Sequence, residues 1–315
     1  MPAKLRYPTG VRPLLAEETS RRRRIEQRFV ELLEREGFAE VALPIIDYAD
    51  PYAALIDART SRQSYRFVDR EGDLVTIRSD FTPMLARALA PSLRSEDLPL
   101  RLFYRGDVIR CEASRLGSNR ELFQIGAEIV GDDSIDADVR MMKTAAELIR
   151  QFGEKPSIVY TDVSVAASLA ALSPLIGPAL ISKRLAPADC ATLPPAARVL
   201  VEKLVAGTAT LDDLSAFAPA APVAARLRAI GTSLPSDEFA LHLDDVDETG
   251  SYYSGLRFRV YSGASRTRVA QGGRYDRLYE RFGTPAPAIG FTFNIDDLED
   301  RRPAVGGGFI AEPGA

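Results

Sequence analysis

A chain of 315 residues is about twice the common single-domain size, so it forms one large domain or two ordinary ones. With 46% hydrophobic and 27% charged residues, it is neither a disordered segment, a collagen-like repeat nor a coiled-coil rod. Forty basic against 44 acidic residues give a net charge of −4, which offers no general attraction to nucleic-acid phosphate.

In chain order, the first 24 residues are basic but lack the apolar core of a signal peptide. The run Arg21-Arg22-Arg23-Arg24 reads as the solvated face of a helix, because Ile25, Phe29, Leu32 and Leu33 follow at helical spacing. Gly37 supplies the stop. Residues 38–46, short, apolar and interrupted by Pro44, suggest an edge strand or an interface segment. Tyr65 and Phe67 alternate with polar residues, a turn centres on Gly72, and residues 74–78 return as the second strand of a hairpin. Thr82 followed by Pro83 reads as an N-cap and first helical position, with Met84, Leu85, Ala88 and Leu89 as the apolar face.

Leu102, Tyr104, residues 107–110 and Glu112 fit one strand and residues 122–130 a second. The polar loop 113–120 between them makes the pair antiparallel neighbours. Residues 133–152 are helical, with Val139, Met142, Ala146 and Ile149 on one side. From 163 to 234 the chain turns Ala-, Leu- and Pro-rich, with Pro-broken helical runs that read as an inserted helical subdomain. Strands are expected at 238–243, 256–261 and 266–271, with Gly272 and Gly273 following the last. Strands before and after a helical insertion predict an α+β fold with a mostly antiparallel sheet. The organisation expected is a core formed by 1–162 and 235–303, an insertion at 163–234, and a frayed Gly/Pro-rich tail at 304–315.

His242 is the only histidine, which excludes a multi-histidine metal site and leaves a Ser-His-Asp triad one candidate. Cys111 and Cys190 match no zinc or redox spacing, so a reducing cytoplasm is the simplest location, and no run reaches the roughly 18 apolar residues of a membrane span. Chemistry concentrates on the two central strands. Side chains two apart share a face of a strand, so Arg110 and Glu112 lie together, as do Gln124, Gly126 and Glu128. With Asp80 and Thr82 at a nearby helix start they would form a polar floor, whose carboxylates suit an ammonium and whose arginine suits a carboxylate or phosphate. The residues alone leave open a second reading, a solvent-facing sheet laced by cross-strand ion pairs.

The order of these segments resembles the catalytic core of a class II aminoacyl-tRNA synthetase, most specifically histidyl-tRNA synthetase. Gly37-Phe38 through Leu43-Pro44-Ile45 resembles the first motif, a dimer-interface strand. Residues 65–78 with Asp80 and Thr82 are similar to the hairpin and amino-acid-binding turn. Residues 105–112, then Arg120, Phe123, Gln124, Gly126 and 128–131, resemble the second motif. Tyr252-Tyr253 and Gly272-Gly273-Arg274-Tyr275-Asp276 resemble two signatures of the histidyl branch, and Ala288-Ile289-Gly290-Phe291 the entry to the third motif. Together they span about residues 10 to 300. The resemblance implies that Asp80, Thr82, Arg110, Gln124, Glu128, Tyr252 and Tyr253 form a histidine pocket, Asp80 shortening the usual glutamate.

Departures from the pattern fall on the ATP side. Such an enzyme holds ATP between an arginine of the second motif, present as Arg110, and one of the third, where Asp297 stands. At ~4 Å and an effective dielectric near 20, that exchanges roughly 4 kcal/mol of attraction for repulsion. Arg301 or Arg302 could substitute only if the helix were re-aimed, while Ser118 and Glu248 stand where further cationic residues are expected. Three losses at a polyanion site imply that adenylation is absent. Only 17 residues follow Leu298, too few for an anticodon-binding domain, so tRNA binding is not expected. A disabled core of this kind resembles the regulatory-subunit family of ATP phosphoribosyltransferase. That resemblance implies a cytoplasmic, non-catalytic chain without cofactor or metal, dimerised through residues 38–46 inside a hetero-oligomer, a hetero-octamer, with a short-form catalytic subunit. It also implies feedback by free histidine and no nucleic-acid or membrane partner. The alternative is a compact aminoacyl ligase, or a histidyl-tRNA synthetase-like enzyme lacking an anticodon domain.

Overall fold

The computed structural model describes residues 7–53, 64–111, 119–246, 252–262 and 268–299. Helix α1 (Ala16–Arg35) buries Ile25, Phe29, Leu32 and Leu33 and ends before Gly37, whose φ of +83° is the left-handed turn the sequence called for. The run is expected to be a solvated face, but its arginines differ in exposure. Arg23 is exposed, but Arg22 is half-buried, lies 5.3 Å from the Phe123 ring centroid and pairs with Asp296.

The expected strand at 38–46 splits between two sheets. Strand β1 (Ala39–Glu40) runs parallel to β5 (Leu100–Ile109), while β2 (Ile46–Tyr48) joins a three-stranded sheet in the order β2-β4-β3. Strands β3 (Arg66–Val68) and β4 (Leu74–Ile77) are the predicted hairpin, with Gly72 at φ +93° in its turn. The break has an identifiable pin. Arg78, buried, donates to the carbonyls of Leu43 at 2.8 Å, Pro44 at 3.2 Å and Asp107 at 2.8 Å, and its guanidinium lies 4.0 Å from the Phe81 ring centroid. One cation thus ties the crossover to the end of β5.

The large sheet has eight strands in the order β1-β5-β6-β11-β10-β9-β7-β8. Here β6 is Glu121–Val130, β7 Pro156–Asp162, β8 Phe239–Leu241, β9 Leu256–Ser262, β10 Arg268–Arg274 and β11 Ala288–Asn294. Pairings are antiparallel except at the two edges, β1 with β5 and β7 with β8, which gives the mostly antiparallel α+β architecture expected. Gly272 and Gly273 lie inside β10 rather than after it.

Helix α2 (Thr82–Leu89) buries Leu85 with Leu102, Tyr104 and Val108 of β5, and α3 (Ile135–Arg150) packs against β7, β9 and β11. Ser134 caps α3, accepting from Ala137 N at 3.1 Å. Between β7 and β8 come α4 (Val163–Ala170), α5 (Ile176–Ser182), α6 (Pro195–Ala206), α7 (Leu211–Ala216) and α8 (Ala221–Thr232). The insertion is helical as expected, but its Leu169, Leu200, Leu204, Leu227 and Ile230 share one buried cluster with Ile158 and Phe258 of the sheet. One continuous apolar core therefore runs through both. No helix among the described residues is long and apolar enough to cross a membrane.

Candidate functional site

Strand register assembles the site. Across the sheet Gly126 faces Thr292, Glu128 faces Gly290 and Gln124 faces Asn294, while Tyr104 sits opposite Gly126 and Gln271 opposite Thr292. Three glycines let neighbouring groups sit close against this floor. A Cβ on Gly126 would collide with the Tyr104 ring, one on Gly290 with the Glu128 carboxylate, and one on Gly273 with Tyr253 and the Leu256 carbonyl. Over this floor lies a small cavity of about 40 Å³. Of the seven residues expected there, Asp80, Thr82, Arg110, Gln124, Tyr252 and Tyr253 line it. Glu128 lies one layer beneath, 1% exposed.

Glu128 accepts hydrogen bonds from Thr82 Oγ1 at 2.9 Å, Tyr104 OH at 3.0 Å and Tyr275 OH. Burial raises its carboxyl to about 8 against the pull of the three hydroxyls, and the nearby Asp80 charge adds to the rise. Asp80, half-buried, is raised by burial as well, but Arg110, the Thr82 N–H at 3.0 Å and Tyr252 OH at 3.4 Å oppose the rise. Arg110 is half-buried and donates to the Ser79 carbonyl at 3.4 Å. Tyr252 packs against Tyr253 and, edge-on at 5.6 Å, against Tyr275, forming an aromatic wall.

Thr82 departs from its expected role. Phe81, not Thr82, is the N-cap of α2, and the Asp80 carboxylate takes over the capping by accepting from Thr82 N–H. That frees the Thr82 hydroxyl for Glu128, which no local capping rule signals. On the other flank Gln124 Nε2 donates to Asn294 Oδ1 at 2.9 Å, and Asn294 Nδ2 donates to Asp297 Oδ2 at 3.2 Å. The neighbouring Asp296, in α9 (Asp296–Glu299), accepts from Phe123 N at 3.1 Å and pairs with Arg22. The position where the synthetase pattern requires a phosphate-holding arginine is therefore carboxylate, engaged with its own neighbours. Glu112, Ser118, Glu248, Arg301 and Arg302 lie outside the described residues.

Sequence reasoning passed over Tyr104, Tyr275, Gln271 and Thr292 as site residues. Tyr275 sits inside the Gly272-Gly273-Arg274-Tyr275-Asp276 signature, so the cue was present. Tyr104 could have been found from the hairpin register, which sets it beside a glycine. Chemically the cavity offers a buried acid, a second carboxylate beside an arginine, and hydroxyl and amide groups, a set suited to a small zwitterion. Among the described residues no three His, Cys, Asp or Glu side chains cluster as a metal site.

The family model for histidyl-tRNA synthetase matches residues 10–298. The chain belongs to the histidyl-tRNA synthetase family. Within that family it is 32% identical to the ATP phosphoribosyltransferase regulatory subunit of Geobacter metallireducens, over 96% of this chain and 76% of the relative. It is 31% identical to the protein of the same name from Moorella thermoacetica, over 97% of this chain and 85% of that one. These relatives place it in the regulatory-subunit branch of the histidyl-tRNA synthetase family. The class II synthetase-like fold is shared with a crystal structure from Bacillus halodurans described as an ATP phosphoribosyltransferase regulatory subunit/histidyl-tRNA synthetase. That match has a TM-score of 0.81 at 22% identity and covers 95% of this chain and 83% of the other. A histidine–tRNA ligase subunit from Alicyclobacillus acidocaldarius superposes with a TM-score of 0.72 at 24% identity, over 95% and 97% of the two chains.

Proposed function

We propose that this chain is a non-catalytic regulatory subunit of ATP phosphoribosyltransferase, acting with a short-form catalytic subunit in the first step of histidine biosynthesis. The partner joins ATP to phosphoribosyl pyrophosphate with release of pyrophosphate. This chain activates it and conveys feedback inhibition by histidine, which binds in the cavity bounded by Asp80, Thr82, Arg110, Gln124, Tyr252 and Tyr253 over Glu128. It dimerises through residues 38–46 inside a cytoplasmic hetero-octamer and uses no cofactor.

One observation supports this reading: six of the seven residues proposed to hold an amino acid line one cavity, while a carboxylate, Asp297, stands at the position proposed for a phosphate-holding arginine. Asp297 would meet a triphosphate with repulsion where catalysis needs charge stabilisation, whereas the charge of Asp296 is matched by Arg22. The regulatory-subunit names of relatives at about 30% identity support the same role. The test is reconstitution with a short-form phosphoribosyltransferase, with and without histidine. Activity only with both chains, falling on histidine addition, is expected. Histidine-stimulated ATP–pyrophosphate exchange by this chain alone would overturn the reading in favour of an aminoacyl ligase.

A further inference from the structure

The helical insertion meets the cavity wall at a buried ionic node. Asp138 on α3 is fully buried, and both of its oxygens are used. Oδ1 accepts from Arg274 Nε at 2.6 Å, while Oδ2 accepts from Arg226 Nε at 2.8 Å and Nη2 at 2.5 Å. Arg226 belongs to α8 of the insertion, and Arg274 closes β10 immediately before Tyr275. Both arginines also wrap the start of α3. Arg274 donates to the carbonyls of Asp132 and Ser134, each at 3.1 Å, and Arg226 to that of Asp133 at 2.8 Å. Removing Arg226 leaves Asp138 paired with Arg274 but strips Oδ2 of the fully buried carboxylate of both its donors, so the aspartate and the two arginines depend on one another.

Arg274 in turn fixes two walls of the cavity. Its carbonyl accepts from Ser254 N at 2.8 Å, and Ser254 Oγ accepts from Asp276 N at 2.9 Å. Ser254 directly follows the Tyr252–Tyr253 wall, and Tyr275 between Arg274 and Asp276 donates to Glu128. The insertion touches the same turn a second time, where Val163 N at the start of α4 donates to the Gly255 carbonyl at 3.0 Å.

We propose that Arg226 is a positioning residue through which the insertion sets the affinity of the cavity for its ligand, by way of Asp138, Arg274 and Tyr275. This rests on the cavity being an amino-acid site, so the test includes an arm without ligand. By linkage, whatever displaces α8 loosens ligand binding, and ligand binding tightens α8.

The experiment compares the full chain with R226A, R226K and R228A. Arg228 is on the same helix, but its pair with Asp212 is exposed, at 49% and 93% of the side chains. Histidine affinity is measured by calorimetry, stability by thermal unfolding, and amide exchange at Ser254 and Asp276 without ligand. R226A is expected to weaken histidine binding roughly three- to thirtyfold. R226K should recover part of that loss, R228A should bind as the unmodified chain does, and the R226A penalty should shrink in a Y275F background. Faster exchange at Ser254 and Asp276 in R226A is expected as well. A lowered melting temperature with unchanged affinity and unchanged exchange would make the node a structural brace only and overturn the proposal. If the unmodified chain binds no histidine, the functional reading of the cavity fails and the exchange arm alone decides the coupling. Should R226A fail to fold, R226K decides, because an ammonium cannot reproduce the two-nitrogen contact with Asp138. Unmodified affinity in R226K would then refute the role.

Discussion

Glu128 is a carboxyl folded into a place that favours its protonated form. It is covered by Gly290 on the neighbouring strand, and its hydrogen-bond partners are three hydroxyls, with no cation among the described residues bonded to it. Its folded value of about 8 lies above the ordinary 4.5. Between those values the unfolded chain has lost the proton and the folded chain has kept it, so the native state binds more protons. Stability then falls as pH rises. The contribution is fully present below about 4.5 and is lost as pH passes about 8, a window worth at most roughly 5 kcal/mol by linkage. The E128Q variant keeps the shape without the charge. Urea unfolding in steps from pH 4.5 to 8.5 should show a clearly flatter stability profile for E128Q than for the unmodified chain. Parallel profiles would mean that Glu128 is ionised throughout. Asp80, also raised by burial, acts in the same direction and leaves a smaller slope in the variant.

At the scale of elements, the shared core makes a thermodynamic prediction. Leu227 of α8 is 1% exposed and belongs to the same cluster as Phe258 and Ile158 of the sheet. Leu227→Ala should cost about 2–5 kcal/mol. Its helical signal in circular dichroism and its tyrosine fluorescence should still unfold in one coincident transition. Two separated transitions would show that the insertion is an independent unit. The elements themselves were legible where the cue was local. Spacing found α1 and α3, alternation and Gly72 found the β3–β4 hairpin, and composition found the insertion. What escaped was set by contacts distant in sequence. Nothing near Pro44 states that residues 38–46 serve two sheets, because the pin is Arg78, more than 30 residues away. The Thr82–Pro83 pair matches a capping pattern, yet Glu128 claims the hydroxyl. Gly272 and Gly273 read as a strand end, although they are strand interior made glycine by the close approach of Gly290, Phe258 and Tyr253. The convergence of six of the seven expected residues on one cavity was legible in the sequence. The layering of the site, with Glu128 beneath Thr82 and Tyr275, was not.

At the scale of the whole molecule, the three-stranded sheet presents apolar side chains that no described residue covers. On the three-stranded sheet Ile46 is 51% exposed, Tyr48 50%, Phe67 43% and Val68 65%, and Ile45 beside them is 57%. Register puts Ile46, Tyr48 and Phe67 on one face, since Tyr48 and Phe67 both pair with Val75 and Ile46 pairs with Ile77, while Val68, opposite Leu74, is on the other. Contiguous apolar surface of this kind is uncommon on monomers and marks a contact site. The same stretch continues from the segment whose sequence suggests a dimer interface, so the two cues agree on position. A charged side chain at an already exposed position leaves the monomer's core untouched but must be desolvated if the face is buried against a second copy. Sedimentation at micromolar concentration should therefore show a dimer for the unmodified chain. The double variant Ile46→Lys, Tyr48→Lys should sediment as a monomer with unchanged circular dichroism. If the double variant remains dimeric, the interface lies elsewhere. If the unmodified chain is monomeric, dimerisation through this region is refuted, and the exposed sheet is left to the catalytic partner.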